Sequence, residues 1–528
     1  MPRRSVSNAR TASARPSAGS PRVTTALALL AGALLAGSFP KFGTPALAWI
    51  ALAPLIVSVV LATRAGEPPF RVFGFGLLAG VVYFGGALYW VVGVMNTYGG
   101  LSMVVAILVA VLLAWYLAIY VGLFALVLRR AVLTFGIGGV WLAPCFWVAA
   151  EWARSSLGVG FAWAILGSSQ ATVIPVVQAA SVVGVYGLSA LVALVGTAAA
   201  VVALTRDRWQ RLGVVATAVL VVLVVAGGIL RVGRGDLVQS GAPTRVGLVQ
   251  GSVNQEDKYD PKRKAEILGR YLDLSRQVLA DGADLVVWPE AATPFYFDLD
   301  TASAIRVRRL AAEAERPFLI GTDEFVRQTA ETPDRYYNAA VLVGPDGQSR
   351  GTYRKMQLVP FGEYVPLKQL LFFVGPLIES VGDFSAGEEP VVFDLDGRRF
   401  SVAICYESIY PSIGRAFVSR GSQLLITITN DAWFGRSSAA YQHFEQGAIR
   451  AVEEGRYVVR AANTGISGAV DPYGRVMMQT DLFVPAAVTA DVRLLSGRTW
   501  YNRLGDVVVW MSIAATGLVW LAGRKVVG

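Results

Sequence analysis

Charge is what this chain has too little of. Of 528 residues only 16% are Asp, Glu, Lys or Arg, while 54% are hydrophobic and the formal net charge is +10. Soluble domains carry roughly 25% charged residues, so a wholly soluble protein is excluded. Cysteine is nearly absent too: Cys145 and Cys405 cannot build a disulfide framework. With one histidine, His443, and no cysteine pair, a zinc site has no ligand set, and no other metal or cofactor is implied. The surplus of basic residues does not point to nucleic acid. Most of them flank apolar runs, where they set the orientation of membrane spans.

What is there is long apolar stretches, crowded into the first 230 or so positions and the extreme end. A helix needs about 20 mostly apolar residues to cross a bilayer. Candidate spans run over 23–38, 44–62, 72–95, 101–127, 135–151, 176–204, 212–230 and 505–522, eight in all. The first is short and follows arginines at 3, 4, 10, 15 and 22, a pattern that also suits a signal peptide. Alternate connections carry Arg64 and Arg71, Arg129 and Arg130, then Arg206, Arg208 and Arg211, with Arg524 and Lys525 after the last span. The intervening ones hold little beyond Lys41 and Arg154. This alternation predicts cytoplasmic termini and a soluble insert on the far side of the membrane. The chain divides into a basic tail without order (1–22), seven spans (23–231), the insert (232–504) and a last span with its tail (505–528).

The span centres hold almost no ionisable side chains, which counts against a transporter. One patch differs: Glu151, Trp152, Arg154, Phe161, Trp163 and Gln170 gather at the outer end of the fifth span. It reads either as an interfacial aromatic belt with a local ion pair or as one wall of a lipid cavity facing the insert.

Within the insert, TRVGLVQ, ADLVVWPE, RPFLIGTD, NAAVLVGPDG, RFSVAICYE and QLLITITND read as buried strands, and 261–279 and 302–314 as helices. Pro-Asp-Gly at 345–347 and Asp-Gly at 396–397 read as hairpin turns. The pattern is an α/β domain with helices covering mixed sheets.

Several strands end on reactive groups. ADLVVWPE stops at Glu290, where apolar surroundings would raise a carboxyl toward the range of a general base, although a solvated turn residue is the commoner fate. YRKMQLVPFGEYVP carries Lys355 and Glu363; a fixed cation there could stabilise an oxyanion, whereas most lysines only decorate a surface. SVAICYESIYP ends its strand at Cys405, followed by Tyr406 and Glu407. An inert buried thiol is the default, yet a strand that turns polar at a cysteine suits a nucleophile elbow.

Together, WPE, LVPFGEYVP, CYES and NDAWFG on a multi-span chain resemble the bacterial apolipoprotein N-acyltransferases, the membrane branch of the nitrilase superfamily. The resemblance covers nearly the whole chain after its N-terminal tail. It implies a polytopic helical domain of about eight spans with an inserted αββα sandwich. It implies Glu290 as general base, Lys355 as oxyanion cation and Cys405 as nucleophile. Glu363 would orient Lys355 or assist proton transfer. Tyr406, Glu407 and the loop tryptophan Trp433 would support or bind substrate. The implied reaction is a ping-pong transfer of a phospholipid acyl chain, commonly from phosphatidylethanolamine, through a Cys405 thioester. The acceptor is the α-amine of a diacylglyceryl-cysteine on an apolipoprotein, and the enzyme is a monomer in the bacterial inner membrane with its catalytic domain outside the cytoplasm. Ser252 and Tyr259 depart from the Asn and Trp common in the family. His443 reads as structural, the base role being filled. LLFFVGPL at 370–377 reads equally as a mobile arm dipping into lipid or as a packing helix. Two rivals stand: a membrane-tethered amidase for a soluble amide, and a transporter or receptor with an inactive ectodomain.

Overall fold

In this computed structural model the described residues are 20–258, 260–327, 334–364 and 384–522. The first apolar part is a helical bundle: Pro21–Gly37, Pro45–Arg64, Pro69–Ala87, Met103–Phe135, Ala143–Ser156, Ala180–Leu204 and Arg208–Arg234, with Val507–Ala522 returning to it from the far end of the chain. Five helical stretches among the described residues are long and apolar enough to cross a membrane. Met103–Ser156 is one of them because a tight turn at 136–142 joins two helices, and Pro21–Gly37 and Val507–Ala522 are shorter. Leu108, Leu112 and Trp115 on one helix, and Val222 and Leu223 on another, point outward and are each more than half exposed among the described residues. An apolar surface of that extent needs lipid, not water, around it. The anticipated 72–95 run breaks at Ala87 and resumes as the short helix Val91–Thr97. Cys145 is half-buried among these helices.

The strands are β1 (Ala242–Gln250), β2 (Leu285–Val287), β3 (Phe318–Val326), β4 (Arg335–Val343), β5 (Ser349–Arg354), β6 (Phe393–Leu395), β7 (Arg398–Ile404), β8 (Leu424–Thr429), β9 (Val458–Ala462), β10 (Gly468–Val470), β11 (Val476–Gln479) and β12 (Ala486–Leu494). Among the described residues they form two six-stranded sheets, ordered β12-β1-β2-β3-β4-β5 and β11-β10-β9-β8-β7-β6. β1, β2 and β3 run parallel, as do β7, β8 and β9, while the outer strands are antiparallel. All six expected strands form, and both expected turns join antiparallel pairs, β4–β5 and β6–β7.

Two-residue alternation explains the layering. Leu248, Val287 and Leu319 point to the second sheet, meeting Val402, Ile404, Ile426 and Ile428. Their neighbours Val249, Val286 and Ile320 point the other way, onto Ile267, Tyr271, Val307 and Ala311 of helices Lys264–Ala280 and Thr301–Ala314. Helices Pro411–Ser419 and Ala439–Glu454 lie against the second sheet, completing an αββα sandwich.

The helix Ala439–Glu454 also joins sandwich to bundle. Helix Ala180–Leu204 is broken at Gly184, whose φ of 68° and position against the Tyr501 ring leave no room for a Cβ. The freed N–H of Val185 donates to Glu453 Oε1 at 2.7 Å, a cap supplied by the other domain.

Candidate active site

The carboxyl ends of β2 and β7, with the loops after β5 and β8, converge at one point between the sheets. β2 leads through Trp288 and Pro289 to Glu290, whose backbone is crossed so closely by β3 that a Cβ on Gly321 would fall 2.1 Å from the Pro289 carbonyl oxygen. Glu290 is 6% exposed and Lys355, just past β5, is 1% exposed. Lys355 Nζ donates to Glu363 Oε1 at 2.8 Å and lies 3.3 Å from Glu290 Oε1. Asn338 on β4 donates its amide to the same two carboxylates, at 2.6 Å to Glu290 and 2.8 Å to Glu363. The N–H groups of Asn430 and Val359 complete the set, on Glu290 Oε2 and Glu363 Oε2. Two buried carboxylates are thus tied together by one ammonium and one amide.

Cys405 directly follows β7 with φ of 53°, in the left-handed region. A non-glycine residue there carries strain of about 1 kcal/mol or more, and the chain turns at once into a short tight helix, Cys405–Ile409. This is the elbow anticipated from the strand-to-polar switch. Glu407 fixes its shape: Oε2 accepts from Ile404 N at 2.7 Å, and Oε1 accepts from Tyr353 Oη at 2.8 Å, Met356 N at 2.6 Å and Gln357 N at 3.0 Å. One carboxylate therefore locks the elbow to the loop that carries Lys355.

The electrostatics correct one expectation. Burial does act to raise the Glu290 carboxyl, but Lys355, the Asn338 amide, Lys258 and the Asn430 N–H outweigh it and hold Glu290 below its ordinary value. Burial tends to lower Lys355, yet Glu363 and Glu290 keep it firmly protonated. Burial, then the Glu290 charge, push the Cys405 thiol well up, with Lys355 pulling the other way. The resting site is therefore a thiol beside an ionised carboxylate and a fixed cation. Such a thiol needs a base at the moment of attack.

The remaining expected residues spread outward. Tyr406 turns toward the bundle, its ring stacked on Trp163 with centroids 6.4 Å apart and near Phe161 and Tyr410. Trp433 is 40% exposed at the rim, edge-on to Tyr98 at 5.2 Å, outside the charged cluster. Arg154 donates to the carbonyls of Phe161, Trp163 and Ala164, and Glu151 accepts from Leu166 N at 2.7 Å. That patch is a clamp on the loop facing the sandwich, more than an interfacial belt. Ser252 has φ of 49°, a backbone state that Asn adopts more readily than Ser. Tyr259 and 370–377 lie outside the described residues.

Sequence reasoning missed Asn338, Asn430 and Lys258. Asn338 is a lone polar residue inside an apolar strand. Asn430 sits in the NDAWFG run whose tryptophan alone had been singled out. Lys258 is buried on the loop after β1, within electrostatic reach of Asp323 and Glu290.

Residues 31–198 match the model of the apolipoprotein N-acyltransferase N-terminal domain, and residues 245–502 match that of carbon-nitrogen hydrolases. The apolipoprotein N-acyltransferase of Geobacter metallireducens is 40% identical over 91% of this chain and 91% of its own length. The chain belongs to the apolipoprotein N-acyltransferase family. The enzyme of that name from Gloeobacter violaceus is 34% identical, covering 93% and 92% of the two chains. This chain also has a structural neighbour in an amidase from Nesterenkonia sp., at 22% identity and a TM-score of 0.37 over 48% of this chain and 92% of that one. As a family member it is an acyltransferase of lipoprotein biosynthesis with a nitrilase-type domain and an apolar helical part suited to a bacterial inner membrane.

Proposed function

We propose that this enzyme N-acylates apolipoproteins in two half-reactions through a thioester on Cys405. The observation that carries the reading is the juxtaposition of Lys355 with two buried carboxylates, in the electrostatic neighbourhood of a cysteine held in the left-handed backbone region. Glu290 takes the thiol proton as sulfur attacks an acyl ester of a phospholipid. Lys355, with the Tyr406 N–H, stabilises the tetrahedral oxyanion. The ester C–O bond breaks, Glu290 returns the proton to the leaving oxygen, and lysophospholipid departs. The α-amine of a diacylglyceryl-cysteine then attacks the thioester; its proton passes through Glu290 to the departing sulfur, and an amide remains. Glu363 and Asn338 hold Lys355 and Glu290 in register, and Tyr406 and Trp433 line the approach of substrate.

The donor is a phospholipid, by resemblance phosphatidylethanolamine, and the protein acts as a monomer. Its domains are 1–22, 23–231, 232–504 and 505–528. Its eight spans leave both termini in the cytoplasm and the sandwich outside it. The apolar exterior of the bundle, the arginine alternation and the family membership support this arrangement. Intact-mass analysis after incubation with phosphatidylethanolamine and no acceptor tests the first half-reaction. A hydroxylamine-labile acyl mass is expected on wild type and on no Cys405→Ala molecule; turnover of small amides with no such adduct would favour the tethered amidase instead. Accessibility of single cysteines placed in the 64–71 and 206–211 connections tests the topology.

A further inference from the structure

Behind the nucleophile lies a second polar cluster that this mechanism does not use. Asp431, His443 and Arg460 come from the loop after β8, the helix Ala439–Glu454 and β9, and all are buried, His443 completely. His443 Nε2 is 3.1 Å from the Cys405 carbonyl oxygen and 3.2 Å from Ser408 Oγ. A carbonyl oxygen can only accept, so this contact is a hydrogen bond when Nε2 carries a proton. Ser408 Oγ donates to the same carbonyl at 2.9 Å. On the other side of the ring, Arg460 Nη2 lies 2.9 Å from Nδ1 and donates to Asp431 Oδ2 at 2.8 Å. Asp431 Oδ1 lies 3.0 Å from Nδ1 and accepts from Thr429 Oγ1 at 2.8 Å. The ring face is covered by Trp163 from the bundle, with centroids 5.4 Å apart, and Trp163 is itself tied by Nε1 to Gln442 at 2.7 Å.

We infer that His443 is a positioning residue for the acyl transfer: its Nε2–H holds the Cys405 carbonyl, and so the left-handed elbow that aims the sulfur. The reasoning is geometric. Cys405 keeps a φ of 53° against its own preference, and such strain persists only where surrounding bonds over-determine it. Glu407 fixes the strand side of the elbow through Ile404 N; His443 and Ser408 fix the Cys405 carbonyl. Asp431 and Arg460 orient the imidazole, and Trp163 packs it from the membrane side, so the nucleophile's backbone is set jointly by both domains. The inference rests on Cys405 as the acyl-carrying residue.

The single histidine makes the test clean. Selective imidazole ¹⁵N labelling of the full-length enzyme in nanodiscs gives one residue's signals, and a proton on Nε2 is expected. In parallel, single-turnover acylation by phosphatidylethanolamine is measured for His443→Gln and His443→Leu with thermal denaturation of each. Gln can place an N–H where Nε2 stands, and Leu cannot. Gln is expected within about fivefold of wild type and Leu slower by about 30-fold, which corresponds to roughly 2 kcal/mol, a buried acceptor losing a donor. The phospholipid concentration for half-maximal rate should stay within about twofold. A proton on Nδ1 alone, or equal rates for Leu and Gln, would overturn the role of His443. Wild type that acylates its acceptor without any adduct on Cys405 would instead overturn the reading on which the inference rests.

Discussion

Replacing Glu407 by Gln removes one charge and reverses one hydrogen-bonding atom, at a residue that ties the Cys405 elbow to the Lys355 loop. Four donors converge on its two oxygens. A glutamine can keep its carbonyl toward Tyr353, Met356 and Gln357, but its NH2 then faces the Ile404 N–H, donor against donor. An unsatisfied buried N–H costs about 1–3 kcal/mol, and three charge-assisted bonds weaken to neutral ones. A total of about 2–4 kcal/mol is expected, applied where the elbow meets the Lys355 loop. If half of it is felt in the acylation transition state, the rate falls about 5- to 30-fold. The pH profile adds a signature. Burial pushes the Glu407 carboxyl up to about 7, with the Ile404 and Gln357 N–H groups pulling the other way. As pH falls through that value the carboxylate takes a proton, one of the four donors loses its acceptor, and acylation should slow. For stability the sign is opposite. The folded state binds this proton before the unfolded state does, so this group's contribution rises as pH falls from about 7 toward the ordinary carboxylate range. Stopped-time acylation and thermal denaturation across pH 5–8 measure both. Wild-type rate and an unchanged acidic limb in Glu407→Gln would refute the reasoning.

Lys355→Met should abolish acylation and also make the protein take up a proton on folding, because Glu290 loses the cation that holds its buried carboxyl below the ordinary value. Potentiometric or calorimetric proton counting on folding checks this, and an inactive variant with no extra proton would argue against the shared cation. Gly184→Ala places a Cβ 2.4 Å from the Tyr501 ring at a φ of 68°; a loss of at least about 1 kcal/mol is expected, read as a lower Tm in detergent. An unchanged Tm would mean that the broken helix is not held by the sandwich.

How much of this was legible in the sequence depends on the kind of signal. The sandwich strands carried their own punctuation, since apolar runs ended at Pro-Asp-Gly, Asp-Gly or a reactive residue, and each formed. β12, which returns to pair with β1 over nine registered positions, was not anticipated: AAVTADVRL alternates weakly, and nothing local says which strand it will join. Glu290 and Lys355 were found because each sits just past a strand beside distinctive neighbours, and Glu363 through the LVPFGEYVP run that carries it. Asn338 was not, because one amide inside an apolar strand looks like any half-buried polar residue until its two carboxylate partners are placed around it. The direction of the Glu290 shift was misjudged for the same reason. Burial can be read from flanking residues, whereas the donors that outweigh it come from β4 and from just past β5 and β8, at 48, 65 and 140 residues' distance. His443 read as structural because Glu290 already filled the base role, and nothing local in the sequence says that its ring will meet the Cys405 carbonyl, 38 residues away.

The most direct test of a two-step transfer is a chase. The enzyme is loaded with an isotopically labelled acyl phospholipid and freed of remaining lipid. It is then mixed with a diacylglyceryl-cysteine peptide while the Cys405 adduct and the N-acyl peptide are followed by mass. Label leaving Cys405 should appear in the peptide amide in a one-to-one ratio, with Glu290→Gln failing to load. Peptide acylation that requires phospholipid still to be present, or label lost to water with none on the amine, would contradict the thioester route.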